Sequence, residues 1–300
     1  MWCRQRQAGP TLRVVHLHGL MADIVSRAGL ASRLPDASPT DLFEALYPEL
    51  CVEALLSELG PQFDALIVDE GQDLLLDAYV DVFNGLLADG LNGGMWRVFL
   101  DPYQDVFENT GMKGLSRFLQ AHPAQYRLSL NCRNTAPIAT AASLMSGAPL
   151  DLVICPEGPE VVQEWYDGDV QQRHAVSGVL RRGIHQGIRP AEIVVLSPRR
   201  FENSCLADGL AAVPAPLTDL AKGAPTSGAI RFSTVHAFKG LESTAVALVD
   251  LDDIATARGA AAVYVGASRA QALLAVFIKQ TEKDVYGRRA FDFGRRVVSR

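Results

Sequence analysis

The sequence predicts an α/β fold with mostly parallel sheets, divided into two domains. Three observations carry that expectation. Short apolar runs alternate with turns and amphipathic stretches along the whole chain, the pattern of strand–helix units. Two such runs, FDALIV and WRVFL, finish on the acidic residues Asp69 and Asp101. Strands ending this way fit a sheet whose carboxyl ends meet at one crevice, the edge where open α/β sheets bind ligands. The length of 300 residues suits two domains of ordinary size, and a hydrophobic content of 48% supplies apolar side chains for two cores.

In chain order, strands are predicted at residues 11–16, 63–68 and 96–100 of the first domain. Between the last two, Leu75, Tyr79, Val82, Phe83 and Leu86 recur at helical spacing, which predicts a helix over 73–88 with Asp73 capping its start. Asn92-Gly93-Gly94 then breaks the chain. A boundary falls near 123–127, after His122-Pro123, so that 1–125 form the first domain and 126–300 the second. In the second, strands are predicted at 127–131, 192–196, 230–235, 245–251 and 273–278, and helices at 135–145, 170–186, 201–211 and 260–271. Residues 221–228 (AKGAPTSG) read as a loop, and the arginine-rich tail 282–300 as a solvated, frayed end.

A formal net charge of −6 excludes a uniformly basic surface, so any nucleic-acid contact must be a local groove. The cysteines are Cys3, Cys51, Cys132, Cys155 and Cys205; none are spaced as a zinc knuckle or redox pair, and they read as buried thiols in a reducing cytosol. The opening MWCRQRQAGP lacks the apolar core of a signal peptide, and the longest apolar runs, such as ALLAVFI (272–278), fall short of a membrane span. The expectation is a cytoplasmic protein with no membrane partner.

Five segments bear chemistry. VDEGQD (68–73) delivers two adjacent carboxylates to the end of a strand, where Asp69 suits Mg²⁺ and Glu70 suits an attacking water. An acid-rich helix start would look the same. LDPYQ (100–104) places Gln104 after the next strand, where a proline turn is the plainer reading. NCRN (131–134) and STVHAFKGLE (233–242) follow strands, and YVGASRA (264–270) lies on an alanine-rich stretch. Singly, Arg133 and Arg269 read as surface arginines, Lys239-Gly240 as a turn and His236 as a core histidine.

Taken in order, these segments form the series DExQD, DxxQ, NxRN, TxHxxKGLE and YVxxSRA, which resembles the UvrD/Rep-like helicases of superfamily 1 over roughly residues 14–279. HLHGL (16–20) is weakly similar to that family's TFHSL, with His18 matching. The resemblance implies two RecA-like domains that clamp ATP and move along single-stranded DNA, with RNA as a second candidate strand. It implies that Asp69 holds Mg²⁺, that Glu70 is the base, and that Gln104 couples the γ-phosphate to the strand surface. Arg133 and Arg269 resemble two arginine fingers, and guanidinium groups do stabilise charge developing on a transferred phosphoryl group. Gly240 and Glu242 match positions that touch nucleotide. His18, Phe107, Thr234 and His236 match positions near the nucleic acid.

The sequence departs from the family pattern in places. No GxxxxGK[ST] occurs in the 300 residues, so the backbone cradle and lysine for the phosphates are missing. The first RecA-like domain is therefore expected to be N-terminally truncated, with exposed apolar surface around its strands, and a segment upstream or on a separate chain is expected to supply the phosphate loop. Leu100 stands where the family has glycine, Cys132 replaces an aromatic, and no second aromatic follows Phe107. The first reading is an ATP-dependent DNA helicase or translocase, with a repair role implied by resemblance alone. The second is a helicase-derived module that binds nucleic acid or a partner without hydrolysing ATP. A metal-dependent nuclease or phosphohydrolase built on Asp69, Glu70 and Asp73 ranks last, since the sequence supplies no further carboxylate–lysine cluster.

Overall fold

The computed structural model describes residues 12–35, 38, 41–104, 114–155, 157–208 and 213–298. The chain divides into two compact units, Met1–Tyr126 and Arg127–Arg300. No helix among the described residues is long and apolar enough to cross a membrane.

The first unit is a helical layer on one face of a small sheet. Helix α1 (Leu17–Arg27) packs on α2 (Tyr47–Ala54), which is flanked by π-helical turns at Leu42–Leu46 and Leu55–Leu59. Helices α3 (Asp77–Leu86) and α4 (Leu115–Gln120) complete the layer. Strands β1 (Ala65–Val68) and β2 (Met95–Val98) pair in parallel, from Ala65 opposite Met95 to Val68 opposite Val98. Because side chains alternate along a strand, Leu66, Val68, Trp96 and Val98 meet the helices, joining a core that includes Met21, Ile24, Cys51, Val80 and Phe83. The opposite face is open: Ile67, Met95 and Phe99 are 68%, 66% and 51% exposed. Parallel sheets are normally covered on both faces, so this surface stands out.

Two predictions for this unit need correction. The helical positions Leu75, Tyr79, Val82, Phe83 and Leu86 are all buried, as their spacing implied. The helix, however, begins at Asp77 rather than after Asp73: residues Gly71–Asp73 form a 3₁₀ turn, and the extended Leu76 is the N-cap residue, without a side-chain cap bond. The predicted strand at 11–16 is also absent over its described part, 12–16. A strand needs a neighbour to take its backbone hydrogen bonds, and among the described residues no ladder pairs with 12–16; instead the carbonyl of His16 accepts the first helical bond of α1 from Leu20.

The second unit contains a six-stranded sheet in the order β5-β10-β9-β6-β8-β7, with every pairing parallel. Its strands are β5 (Val162–Tyr166), β6 (Ile193–Ser197), β7 (Leu217–Asp219), β8 (Ile230–Thr234), β9 (Ser243–Leu251) and β10 (Ala270–Lys279). A separate short pair joins β3 (Leu130–Asn131) to β4 (Leu152–Val153). Helix α6 (Asp169–His185) sends Val176 and Leu180 into one face of the large sheet, against Val195, Phe232 and Phe277. Helices α5 (Ala136–Ser146) and α7 (Ala257–Ser268) pack together, and α7 approaches β9 so closely that a Cβ on Gly266 would lie 2.6 Å from Leu248 Cδ1. This is an α/β protein with a parallel sheet, as the alternation of elements implied.

The strands β6, β9 and β10 are legible because they carry continuous apolar runs, the mark of central parallel strands, whereas β8 (IRFST) shows only alternating apolar positions, Ile230 and Phe232. Strands β4, β5 and β7 escaped sequence reading: β5 and β7 lie at the sheet's edges and carry polar residues in VQEWY and LTD. The predicted helix at 201–211 is only a 3₁₀ turn, Phe201–Asn203, within its described part. Its backbone is claimed elsewhere: Cys205 N donates to Asp250 Oδ1 (3.1 Å), and Cys205 O accepts from Arg173 Nε (2.7 Å). The predicted frayed tail is instead helix α8 (Lys283–Val298). Arg289 donates to the carbonyl of Met145 on α5, and Tyr286 meets Trp165 edge-on at 5.5 Å. Of the predicted buried thiols, Cys51 and Cys205 are buried, whereas Cys132 is exposed.

Candidate functional site

In the first unit, the carboxyl ends of β1 and β2 lie side by side, so the segments after them form one edge. Asp69 is exposed there, and its Oδ1 accepts from Glu70 N (3.0 Å). Glu70 sits at φ +54°, ψ +43°, in the left-handed region that a glutamate adopts at a cost of roughly 1–3 kcal/mol. Gln72, 1% exposed, holds this bend. Its Nε2 donates to Glu70 Oε2 (2.5 Å), and its Oε1 accepts from Asp101 N (3.0 Å). Asp101 in turn accepts from Gln104 Nε2 (2.9 Å) and Tyr103 N (3.0 Å). Glu70, Gln72, Asp101 and Gln104 thus form one hydrogen-bonded chain across both strand ends. Sequence reading missed Gln72 as the link; it lay inside the recognised VDEGQD, but only the fold shows what its amide spans.

Gly71 explains why the two segments can sit this close. Its N–H donates to Phe99 O (2.8 Å), and a Cβ there would lie 2.6 Å from Val98 Cγ1 and 3.1 Å from Phe99 O. Gly71→Ala is therefore expected to destabilise the first unit by about 1–3 kcal/mol through overpacking. Urea unfolding monitored by the fluorescence of Trp96, in a chain with Trp2 and Trp165 replaced by phenylalanine, would measure it, and an unchanged midpoint would mean the strand ends are less tightly joined.

His18 makes its contacts with other residues. Its Nε2 is 2.9 Å from Tyr79 Oη, and its ring stacks on Phe43 at 4.6 Å, with Phe43 stacked in turn on Tyr47 at 4.8 Å. His18 as a whole remains exposed. Desolvation by its neighbours lowers its pKa below the ordinary value, His16 adds to that, and Glu44 opposes it. Phe107 falls outside the described residues.

In the second unit the arginine-bearing segments converge at the amino-terminal edge of β9 and β10. Arg133 Nε pairs with Glu242 Oε1 at 2.8 Å, and Gln271 Nε2 donates to Glu242 Oε2 at 2.8 Å. Gly240, at φ +77°, makes the turn that leads into this edge. Arg269 is the C-cap residue of α7 and is 2% exposed, its Nε donating to Val265 O (3.1 Å). It does not lie within a helix running to 271, as predicted; the chain leaves the helix after Ser268 and enters β10 at Ala270. Nor is it the surface arginine that a reading of its own segment would suggest.

Thr234 and His236 are not brought to this edge. They lie at and just beyond the carboxyl end of β8, roughly 20 Å of strand from Glu242. Thr234 Oγ1 accepts from Ala237 N (3.1 Å), which tightens the turn, and His236 is exposed. The fold therefore separates the two groups of residues that the sequence had joined in one ten-residue segment.

No family model matches this sequence, and no curated protein matches it. Among solved structures, one similar chain is the C-terminal domain of a possible DNA helicase from Lactobacillus plantarum WCFS1. It is 14% identical, with a TM-score of 0.41, over 50% of this chain and 88% of that one.

The first unit's edge can offer metal-binding oxygen. Among the described residues no cluster of three or more histidine, cysteine, aspartate or glutamate side chains forms a ready-made metal site. Mg²⁺ commonly needs only one or two carboxylates, with water and phosphate oxygens completing its shell. Exposed Asp69 fits that limited role. At the second unit's edge the Arg133 guanidinium is paired with Glu242, and the Arg269 side chain is buried with its Nε on α7.

Proposed function

We propose that this chain is the motor portion of an ATP-dependent DNA helicase or translocase of the UvrD-like, superfamily 1 kind, built on two RecA-like domains. The observation that carries the reading is the agreement of motif order with placement. Five ordered segments resemble that family; Asp69, Glu70 and Gln104 share one strand edge of the first unit, and Arg133, Gly240, Glu242 and the Arg269 turn share one edge of the second, and this grouping supports the reading. In this reading Glu70 accepts a proton from the attacking water, held in its strained geometry by Gln72. Asp69 is the carboxylate that holds Mg²⁺ with ATP, and the ion supplies charge neutralisation on the phosphates. Arg133 and Arg269 stabilise charge on the transferred group, for which Arg133 exchanges Glu242 for phosphate and Arg269 leaves Val265. By the resemblance, His18, Phe107, Thr234 and His236 are the positions that contact single-stranded DNA. A phosphate-binding loop comes from a further segment, and the open apolar face of β1 and β2 supports such a partner.

The test is ATP hydrolysis by the 300-residue chain, with and without single-stranded DNA, using Glu70→Gln as the blank. DNA-stimulated turnover above the blank is the expected result once a phosphate-loop segment is supplied. Turnover that survives Glu70→Gln would remove Glu70 as the base. The absence of GxxxxGK[ST] favours a second reading, a binding module that never hydrolyses ATP. Strand binding without any nucleotide effect would select it.

A further inference from the structure

We infer that Asn134 is a positioning residue that fixes the two arginines of the second unit relative to each other; the inference rests on the reading of Arg133 and Arg269 as phosphate-facing groups. Asn134 is 4% exposed and follows Arg133 directly. Its Nδ2 donates to Ser268 O (3.1 Å) and to Ala270 O (2.7 Å), the carbonyls on either side of Arg269. The carbonyl between them, Arg269 O, accepts from Ser243 N (3.0 Å). Three consecutive carbonyls are thereby satisfied where α7 ends, and helix ends are otherwise left with unpaired acceptors. The backbone at Arg269 is held in one conformation.

The other end of the same amide reaches Arg133. Asn134 Oδ1 accepts from Asn131 Nδ2 (3.3 Å), and Asn131 Oδ1 accepts from both Arg133 N and Asn134 N (3.0 Å each). An asparagine that bonds its own backbone two residues on builds a tight local turn. Beyond it, Arg133 pairs with Glu242, and Glu242 with Gln271, two residues past Arg269. The contacts close into a loop: Arg133, Glu242, Gln271, the Ser268–Ala270 turn, Asn134, Asn131 and back to Arg133. Both asparagine amides use oxygen as acceptor and nitrogen as donor, so their orientations support one another. A serine or threonine here, with one hydroxyl proton, could donate to only one of the two carbonyls. A displacement of about 1 Å at reacting groups is enough to cost on the order of a hundredfold in rate.

The experiment uses the full chain carrying Asn134→Ala, Asn134→Asp or Asn134→Ser, labelled with ¹⁵N-arginine. The Nε–Hε resonances of Arg133 and Arg269 are assigned with Arg133→Lys and Arg269→Lys. Asn134→Ala and Asn134→Asp, which lack the amide donor, are expected to shift both resonances, and Asn134→Ser, which retains one donor, to shift them less. Ser143→Ala is the structural control: it removes the buried Ser143 Oγ to Ala148 O bond on α5 and should lower the melting temperature without moving either resonance. ATP turnover is read in parallel, with an expected fall of about a hundredfold in kcat and little change in KM for the alanine variant. Resonances unmoved in the asparagine variants, or moved equally by Ser143→Ala, overturn the positioning role. If Asn134→Ala does not fold, Asn134→Ser is judged by the same shifts. Shifts in the Asn134 variants together with no turnover by the wild-type chain, when a phosphate loop is supplied, keep the clamp and reject the motor.

Discussion

Arg269→Ala is expected to slow ATP hydrolysis by on the order of a thousandfold, with nucleotide affinity changed far less. The magnitude follows from the role: an arginine aimed at a transferring phosphoryl group contributes about 10³–10⁵ in rate, because it meets charge that develops only in the transition state. Arg269→Lys is not expected to restore activity, since an ammonium group cannot reproduce the planar fork of a guanidinium. The side chain is buried, with Nε on Val265 O, so its loss also costs packing. Steady-state kinetics paired with thermal melting separates the two effects. A large loss of kcat in a chain that melts near the wild-type temperature is the expected pattern. An unchanged rate would remove Arg269 from the site.

Asp250→Ala is expected to destabilise the second unit by roughly 3 kcal/mol, which lowers its melting temperature by on the order of 10 °C. Asp250 lies near the carboxyl end of β9, is 2% exposed, and adopts φ +59°. Its carboxylate accepts from Ser197 Oγ (2.6 Å) and Cys205 N (3.1 Å). Gln172, with its amide turned to satisfy both groups, donates to Oδ1 (3.0 Å) and accepts from Asp250 N (2.6 Å). Alanine would strand these donors and would sit poorly in left-handed backbone. Asp250→Asn keeps the shape, tolerates that conformation and removes the buried charge, so it should melt close to wild type.

Asp250 also predicts a pH dependence. Burial raises its pKa above the ordinary aspartate value, against the hydrogen bonds from Ser197 and Cys205. The folded chain then binds more protons than the unfolded chain over the window between those two values, so this group's contribution to stability falls as pH rises through that window. Asp250→Asn should abolish that contribution, and a melting profile with the same slope in both proteins would show that the carboxylate is not the source.

The legible parts of the fold are those with local signatures. Apolar runs such as IVVLS and ALLAVFI became the central strands, because a strand buried on both faces must be apolar along its length. The acidic residues at two strand ends did come to one edge, since parallel pairing leaves no other arrangement. The motif series named Asp69, Glu70, Gln104, Arg133 and Arg269, but it could not show that Gln72 and Asn134 tie those residues together.

The sequence by itself determined the α/β class, the central strands and the chemical groups at the candidate sites, because periodicity and residue type act within a few neighbours along the chain. Only the tertiary structure decided where elements stop and which groups meet. The stretch after Asn203 is not a helix because Asp250 and Arg173 take the backbone bonds of Cys205. The tail forms a helix that Arg289 anchors to Met145. Helix α7 ends at Ser268 where Asn134, from far along the chain, takes the carbonyls around Arg269. Each outcome turns on a hydrogen bond between distant residues, and such a bond leaves no periodic trace in the residues it joins.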